Sequence, residues 1–323
     1  MKSLLARLSI DWYLLAIVGM VALASILPAR GETAEWTALA TKVGIALVFF
    51  LHGAKLSREA VVAGMIHWRL HVLVLGVTFV VFPLAGIGLA ALPAWITPPA
   101  LAAGLVYLAC LPSTIQSAIG FTAIARGNVA AAVCGASASN LLGIVITPLL
   151  VGTLLSAEGG ISFSSVEAIL WQLLAPFVAG QLVHPFVGGF MRRYAKPLQL
   201  VDRGSILLVV YNAFSGAVVA GIWSQVSIPD LARLTLICLV LLAASLGLCI
   251  WLARLRGFSV EDEATIVFGG SNKSLAAGVP MAGALFPAAT MGFVLLPVML
   301  YHQFQLMACA AIAQRYAKRA PSE

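Results

Sequence analysis

The sequence predicts an all-α integral membrane protein of about ten transmembrane helices, built as two inverted five-helix repeats. Three observations support this. The 323 residues are 61% hydrophobic and only 10% charged, with a mean hydropathy of +1.02, whereas a soluble domain carries about a quarter charged residues. The apolar runs, at roughly 20 residues per crossing, account for about ten spans. Polar breaks rich in glycine or proline interrupt two of them, at Cys110-Leu-Pro-Ser-Thr-Ile-Gln-Ser-Ala118 and at Phe268-Gly-Gly-Ser-Asn-Lys-Ser-Leu-Ala-Ala-Gly278.

The expected spans are 11–28, 38–54, 70–92, 99–125, 128–154, 164–185, 204–224, 229–253, 262–284 and 288–314. The first follows Lys2 and Arg7 and resembles a secretory signal peptide. Its apolar run from Trp12 to Leu27 is long for that, and further spans follow, so it reads as the first helix. Orientation comes from the connections. The N-terminus (Lys2, Arg7), the second connection (Lys55, Arg58, Arg69), the fourth (Arg126), the sixth (Arg192, Arg193, Lys196, Arg203), the eighth (Arg254, Arg256) and the C-terminus (Arg315, Lys318, Arg319) hold fifteen basic residues. The odd connections hold only Arg30 and Arg233. Lysine and arginine favour the cytoplasmic side, so both termini are expected in the cytoplasm, with the chain in the cell (inner) membrane. The longest polar connection, Gly188 to Gly204, reads as an interfacial helix joining the halves.

An odd number of spans per half forces the halves, 1–157 and 158–323, into opposite orientations. Each half carries its polar break in its fourth span, and each break is followed by a span with a central proline, Pro148 or Pro297. Glycine-interrupted spans at matching places in two halves point to a transporter's binding site.

In the fourth span Pro112 removes a backbone donor and frees carbonyls. Ser113, Thr114, Gln116 and Ser117 then offer polar groups beside them. The bland alternative is that these residues only mend a kink. In the ninth span Gly269, Gly270 and Gly278 permit unwinding, while Ser271, Asn272 and Ser274 flank Lys273. A charge at membrane depth is costly and marks a functional site by default; snorkelling to an interface is the competing explanation, and the mid-span position of Lys273 speaks against it. The fifth span holds Ser137, Ser139 and Asn140, and the tenth holds His302 within Tyr301-His-Gln-Phe-Gln305. The small residues of the fifth span also serve close helix packing, and His302 either titrates or completes a polar seam. Lys42 and His52 are weaker, structural candidates, and Asn212 and Ser215 could line the same cavity.

Several classes are excluded. The net charge of +7 lies in short clusters between apolar spans, which argues against a nucleic-acid partner. The five cysteines lie in apolar segments without CxxC spacing, as buried small hydrophobes do. Gly-Gly-Ser-Asn-Lys-Ser does not meet the GxxxxGK[ST] spacing of a phosphate loop.

The broken fourth and ninth spans, together with Ala125-Arg-Gly-Asn-Val-Ala130 leading to Thr147-Pro148-Leu-Leu, resemble the bile acid:sodium symporter superfamily (SBF-like) over essentially the whole chain. Phe49-Phe-Leu-His-Gly-Ala-Lys-Leu-Ser-Arg-Glu59, Pro112-Ser-Thr-Ile-Gln-Ser117, Ser137-Ala-Ser-Asn-Leu-Leu-Gly143 and Tyr301-His302 are similar to its divergent branch containing the seventh human member and bacterial relatives. The resemblance implies a core domain from spans 3–5 and 8–10, a panel domain from spans 1, 2, 6 and 7, broken helices crossing at the midplane, and alternating access. It also implies where two sodium ions bind in coupled members, and there this chain departs. Phe268 stands at the usual glutamate, Ala118-Ile119 at a Ser-Asn pair, Thr78 at a glutamine, Ala132 and Ala136 at two hydroxyls, and Asn272-Lys273 at a Gln-Asn pair.

The expected function is therefore secondary active transport of a small organic anion, with sodium or a proton as coupling ion and no other cofactor. Lys273 would replace a coupling cation, either as fixed charge or by exchanging a proton. Thr114, Gln116, Ser139 and Asn140 remain as a rebuilt sodium site. A non-coupled channel or a regulator of calcium homeostasis is the alternative, and an intramembrane hydrolase pairing Ser113, Ser271 or Ser274 with Lys273 is a remote one.

Overall fold

The computed structural model describes residues 12–55, 67–155 and 163–319. Lys2, Arg7, Arg58 and the expected boundary between halves at 157–158 lie outside the described residues. Within them every regular element is helical: α1 (Trp12–Ile26), α2 (Glu32–Lys55), α3 (Trp68–Ala90), α4 (Pro99–Cys110), α5 (Ile115–Ile124), α6 (Val129–Leu155), α7 (Phe163–Arg193), α8 (Ala195–Val219), the single turn α9 (Ile222–Gln225), α10 (Ile228–Leu255), α11 (Val260–Ser271), α12 (Leu275–Leu285) and α13 (Ala288–Ala317).

Six of these helices contain stretches long and apolar enough to cross a bilayer, and a seventh span arises if α4 and α5, bent by 61° at their junction, count together. The rest of the expected ten differ for readable reasons. The described part of α1 is short, α8 starts with the polar Ala195–Arg203 turns, and α11 and α12 are 12 and 11 residues on either side of a break. Helix α2 begins at Glu32 rather than residue 38 because Thr33 caps the turn, exchanging hydrogen bonds with the Arg30 N–H (3.1 Å) and C=O (2.7 Å). Glu32 and Glu35 then face the positive end of the helix dipole. The expected connection from Gly188 to Gly204 is helical almost throughout, since α7 runs past Pro185 to Arg193 and α8 starts at Ala195.

The chain divides into two compact units. One comprises Met1–Ser57, Ile161–Ser227 and Val279–Leu295, and the other Arg58–Gly160, Ile228–Gly278 and Leu296–Glu323. In the first, α2 and α7 cross with their backbones touching: Gly53 faces the Phe177 carbonyl and Gly180 faces that of Phe50, and a Cβ at either glycine would overlap the opposing backbone. Small residues of this kind let helices approach closely where no hydrophobic force drives them together. Helix α8 lies against α2 through Ser205 on Gly44 and against the end of α1 through Tyr211, whose hydroxyl donates to the Leu27 carbonyl (2.8 Å).

In the second unit, α10 and α11 form a hairpin turning at Gly257 (φ +67°). Ser259 caps α11, and Glu261, Asp262 and Glu263 occupy its first turn, the favourable end for carboxylates. The α5–α6 turn, with Arg126 at φ +57°, docks on that end: Asn128 donates to the Glu261 carbonyl (3.1 Å) and the Asp262 carboxylate (2.9 Å), and Thr265 donates back to the Asn128 carbonyl (3.0 Å). Glu263, only 4% exposed, holds Arg254 through two hydrogen bonds and also accepts from Tyr316 and Arg319. All five cysteines are buried.

Candidate functional site

Two interruptions meet inside the second unit. After α4 the chain runs extended from Leu111 (ψ 149°) to Thr114 (ψ 129°), and after α11 it does so again from Asn272 (ψ 143°) until α12 begins at Leu275. Pro112 and the glycines explain why the helices stop. What lets them stop inside a buried region is that nearly every freed backbone group finds a partner. Thr147 donates to the Cys110 carbonyl (2.8 Å), Ser274 N–H to that of Pro112 (2.9 Å), and Asn140 to that of Ser113 (2.6 Å), while Ser113 N–H donates to Ser139 Oγ (3.0 Å). Across the other break, Tyr301 donates to the Ser271 carbonyl (2.8 Å) and Thr114 to that of Lys273 (2.8 Å). Gln305 serves both sides of one peptide residue: its Oε1 accepts from Lys273 N–H and its Nε2 donates to Lys273 C=O, each at 2.8 Å.

The same amide fixes a histidine. Gln305 Nε2 lies 2.8 Å from His302 Nδ1, which is also 3.3 Å from the Lys273 carbonyl, so the imidazole is held at the same peptide group.

Lys273 is wholly buried. Its Nζ donates to the carbonyls of Thr78 (2.9 Å), Ala109 (2.8 Å) and Leu111 (2.8 Å), and lies 4.0 Å from the centre of the Phe82 ring. Among the described residues no carboxylate lies within ion-pairing distance of it. Ala109 and Leu111 belong to the C-terminal end of α4, the negative end of its dipole. The Thr78 carbonyl is free for a reason written in the sequence. Residues Val77–Val81 form a π turn in which Phe82 N–H bonds to the Val77 carbonyl; the next donor in line belongs to Pro83, which has none. Lys273 takes the vacant acceptor.

These contacts account for a buried charge. Hydrogen bonds to charged groups are each worth about 1.5–3 kcal/mol, and a desolvated cation–π contact adds about 2 kcal/mol. Together they offset the several kcal/mol that burying an unpaired ion costs. Chemically, an oxygen cage at an unwound helix end is what binds an alkali cation in broken-helix transporters; here an ammonium tethered to the chain occupies it.

The remaining candidates divide by where their side chains lie. Ser113, Thr114, Ser139, Asn140, Ser274 and His302 belong to this network, as does Asn272, whose amide donates to Ser117 Oγ (3.3 Å) and whose oxygen accepts from Cys309 (3.2 Å). Ser271 lies in it by its backbone, its hydroxyl turned onto Val267 O (2.6 Å). Gln116 is exposed and Ser137 half-buried, and neither side chain joins the network among the described contacts. Lys42 is exposed, and His52 bonds to Val48 O in its own helix (2.7 Å). Asn212 and Ser215 belong to the other unit. Two hydroxyls of the site, Thr78 Oγ1 and Ser113 Oγ, are buried without a protein partner. Sequence reasoning missed Phe82, Tyr107 (which donates to the Gly278 carbonyl at 2.6 Å), Thr147, Tyr301 and Gln305 as site residues. Pro83 and Pro148 were the available signals for Thr78 and Thr147; Gln305 offered only its polarity within an apolar span.

The profile of the SBF-like CPA transporter family matches residues 11–318. A Pseudomonas aeruginosa protein of uncharacterized function, PA2026, is 53% identical over 96% of this chain and 93% of its own length. YfeH of Escherichia coli strain K12, which carries the provisional name of a symporter, is 49% identical over 96% of this chain and 94% of its own. Sodium/bile acid cotransporter 7 of Danio rerio is 27% identical over 94% and 93%.

Proposed function

From membership of the SBF-like CPA transporter family, to which this chain belongs, we propose that it is a secondary active transporter of a small organic anion in which Lys273 stands in for a coupling cation. The chain is a multi-pass membrane transporter and not an enzyme. The hydrolase alternative that pairs Ser113, Ser271 or Ser274 with Lys273 is disfavoured chemically, because the three donors of the Lys273 ammonium are directed at the carbonyls of Thr78, Ala109 and Leu111, which leaves no lone pair to act as base. The observation behind the proposal is the carbonyl cage filled by Nζ at 2.8–2.9 Å. A free sodium ion beside that ammonium, with no carboxylate to offset two charges, would be strongly disfavoured.

The finer architecture belongs to the same reading: ten spans in two inverted repeats, both termini cytoplasmic, and a core unit carrying the broken helices that moves against a panel unit in alternating access. The division into two compact units supports it, as does the pair of breaks.

The test is thermal stability of the purified protein in sodium, potassium and pH series, for wild type and Lys273→Ala. A ligand that binds only the folded state raises the Tm by mass action. Wild type is expected to ignore sodium, and Lys273→Ala, with an emptied oxygen cage, is expected to gain a sodium-specific rise. Sodium-specific stabilisation of wild type would show a surviving sodium site, with Thr114, Gln116, Ser139 and Asn140 as its first suspects, and would end the stand-in reading. Saturable counterflow in proteoliposomes separates a carrier from a channel or a calcium regulator.

A further inference from the structure

The first unit contains a cavity of about 540 Å³ between one face of α2 and one face of α8, within the roughly 300–1,000 Å³ range of small-molecule sites. Its room comes from small residues: Ala34 and Ala38 on α2, Gly216 on α8, and Ala288 at the start of α13. Gly216 is obligatory, since a Cβ there would strike the Ala288 backbone.

The polar groups are few and placed. Ser215 lines the cavity, is 2% exposed, and its hydroxyl has no partner. A helical serine ordinarily folds its hydroxyl onto the carbonyl one turn back, as Ser25 does on Val21 (2.8 Å) and Ser205 on Val201 (3.0 Å). Ser215 does not, so a buried group that costs about 1–3 kcal/mol when left unsatisfied is held at the cavity wall. One turn earlier the Asn212 side-chain amide lies at the cavity 3.3 Å from the Thr37 hydroxyl, which also donates to the Ala34 carbonyl (3.0 Å), and an amide can offer either a donor or an acceptor to a solute. Arg30 and Glu35 also line the cavity, both exposed, with neither side chain engaged among the described residues.

We propose that this cavity binds a small zwitterion, a solute with a carboxylate and an ammonium on a short apolar stem. The carboxylate is met by Arg30, Asn212 and Ser215, the ammonium by Glu35, and the stem by the alanines and Val219. A plain carboxylate would leave Glu35 repelling it. That the bound solute is cargo rests on the transport reading above, and it narrows the organic anion of that reading to a carboxylate that also carries an ammonium.

The experiment compares leucine, isocaproate and isopentylamine, which share one apolar stem, by thermal shift on the purified protein. Leucine is expected to give a saturable rise in Tm, with half-saturation at least tenfold below either analogue. Glu35→Gln is expected to reverse the preference toward isocaproate. Ala34→Trp, which fills the cavity, is expected to abolish the shift while keeping a cooperative melt, and Asn212→Leu to weaken it at least tenfold. A leucine shift that survives both Ala34→Trp and Asn212→Leu, equal response to all three probes, or no response to any overturns the site. Leucine flux into proteoliposomes then separates the two claims. Binding and flux lost together in Ala34→Trp support both; binding without flux keeps the site and removes its transport role; flux indifferent to Ala34→Trp keeps transport and overturns the site.

Discussion

Gln305 holds the residue-scale consequences most clearly. Its amide satisfies the N–H and the C=O of Lys273 at once, so Gln305→Leu leaves two buried backbone groups unpaired, each costing about 1–3 kcal/mol. A Tm several degrees lower is expected, together with loss of the Gln305 contact to His302 Nδ1, readable as an altered imidazole signal in NMR. Glu, which keeps the acceptor oxygen, is expected to lose less than Leu. Lys273→Met is the complementary change: it keeps the stem but leaves the Thr78, Ala109 and Leu111 carbonyls without their donor, and is expected to destabilise without the sodium response of Lys273→Ala. Lys273 itself was legible in the sequence, as a charge among glycines in mid-span. Its cage was not, because Thr78, Ala109 and Leu111 contribute peptide oxygens, and no side-chain pattern announces which carbonyl lacks a donor. Gln116 shares a polar run with Ser113 and Thr114, but once α5 begins at Ile115 it lies on an exposed face, apart from the buried network.

At the scale of elements, the π turn of α3 and the breaks of α4–α5 and α11–α12 form one device. Pro83 removes the donor that would have covered the Thr78 carbonyl, and Pro112 ends α4 where its last carbonyls are needed. Pro83→Ala restores a helical N–H that competes for Thr78, so it is expected to straighten α3 and loosen Lys273, seen as faster hydrogen exchange along Thr78–Phe82 with little change elsewhere. In the other unit, Gly53→Val and Gly180→Val each drive a side chain into opposing backbone; either is expected to separate α2 from α7 and prevent a cooperative melt, whereas Gly19→Ala, with open space around it, is expected to be neutral. Element type was readable from apolar length almost everywhere. Element ends were not, as α2 and α7 illustrate: a capping threonine starts one early, and the other runs unbroken past the expected end at Pro185 to Arg193.

For the whole molecule, the alternation of basic residues between connections makes a prediction that needs no ligand. A fluorescent reporter fused after Glu323 is expected to mature in the cytoplasm, and a cysteine placed at Gly31 to react with a membrane-impermeant thiol reagent from outside; the reverse pattern would invert the topology. The broad class was legible because a chain this poor in charge has no soluble solution. The division into two compact units was less so, since each draws on three separate stretches of sequence, and the boundaries at 278–279 and 295–296 fall inside expected spans.

A tethered ammonium has an electrical consequence that a diffusible ion does not. A sodium ion leaves its carrier at the end of each crossing, so the empty protein returns without it. Lys273 cannot leave. In the proposed cycle its site would carry one positive charge when empty and none in net terms beside a bound carboxylate, and the charge-moving step would be the return of the unloaded protein. Membrane potential acts on that step with about 2.3 kcal/mol per elementary charge per 100 mV for a full traverse. Voltage, and no ion gradient, would then set the direction in which the empty transporter prefers to face.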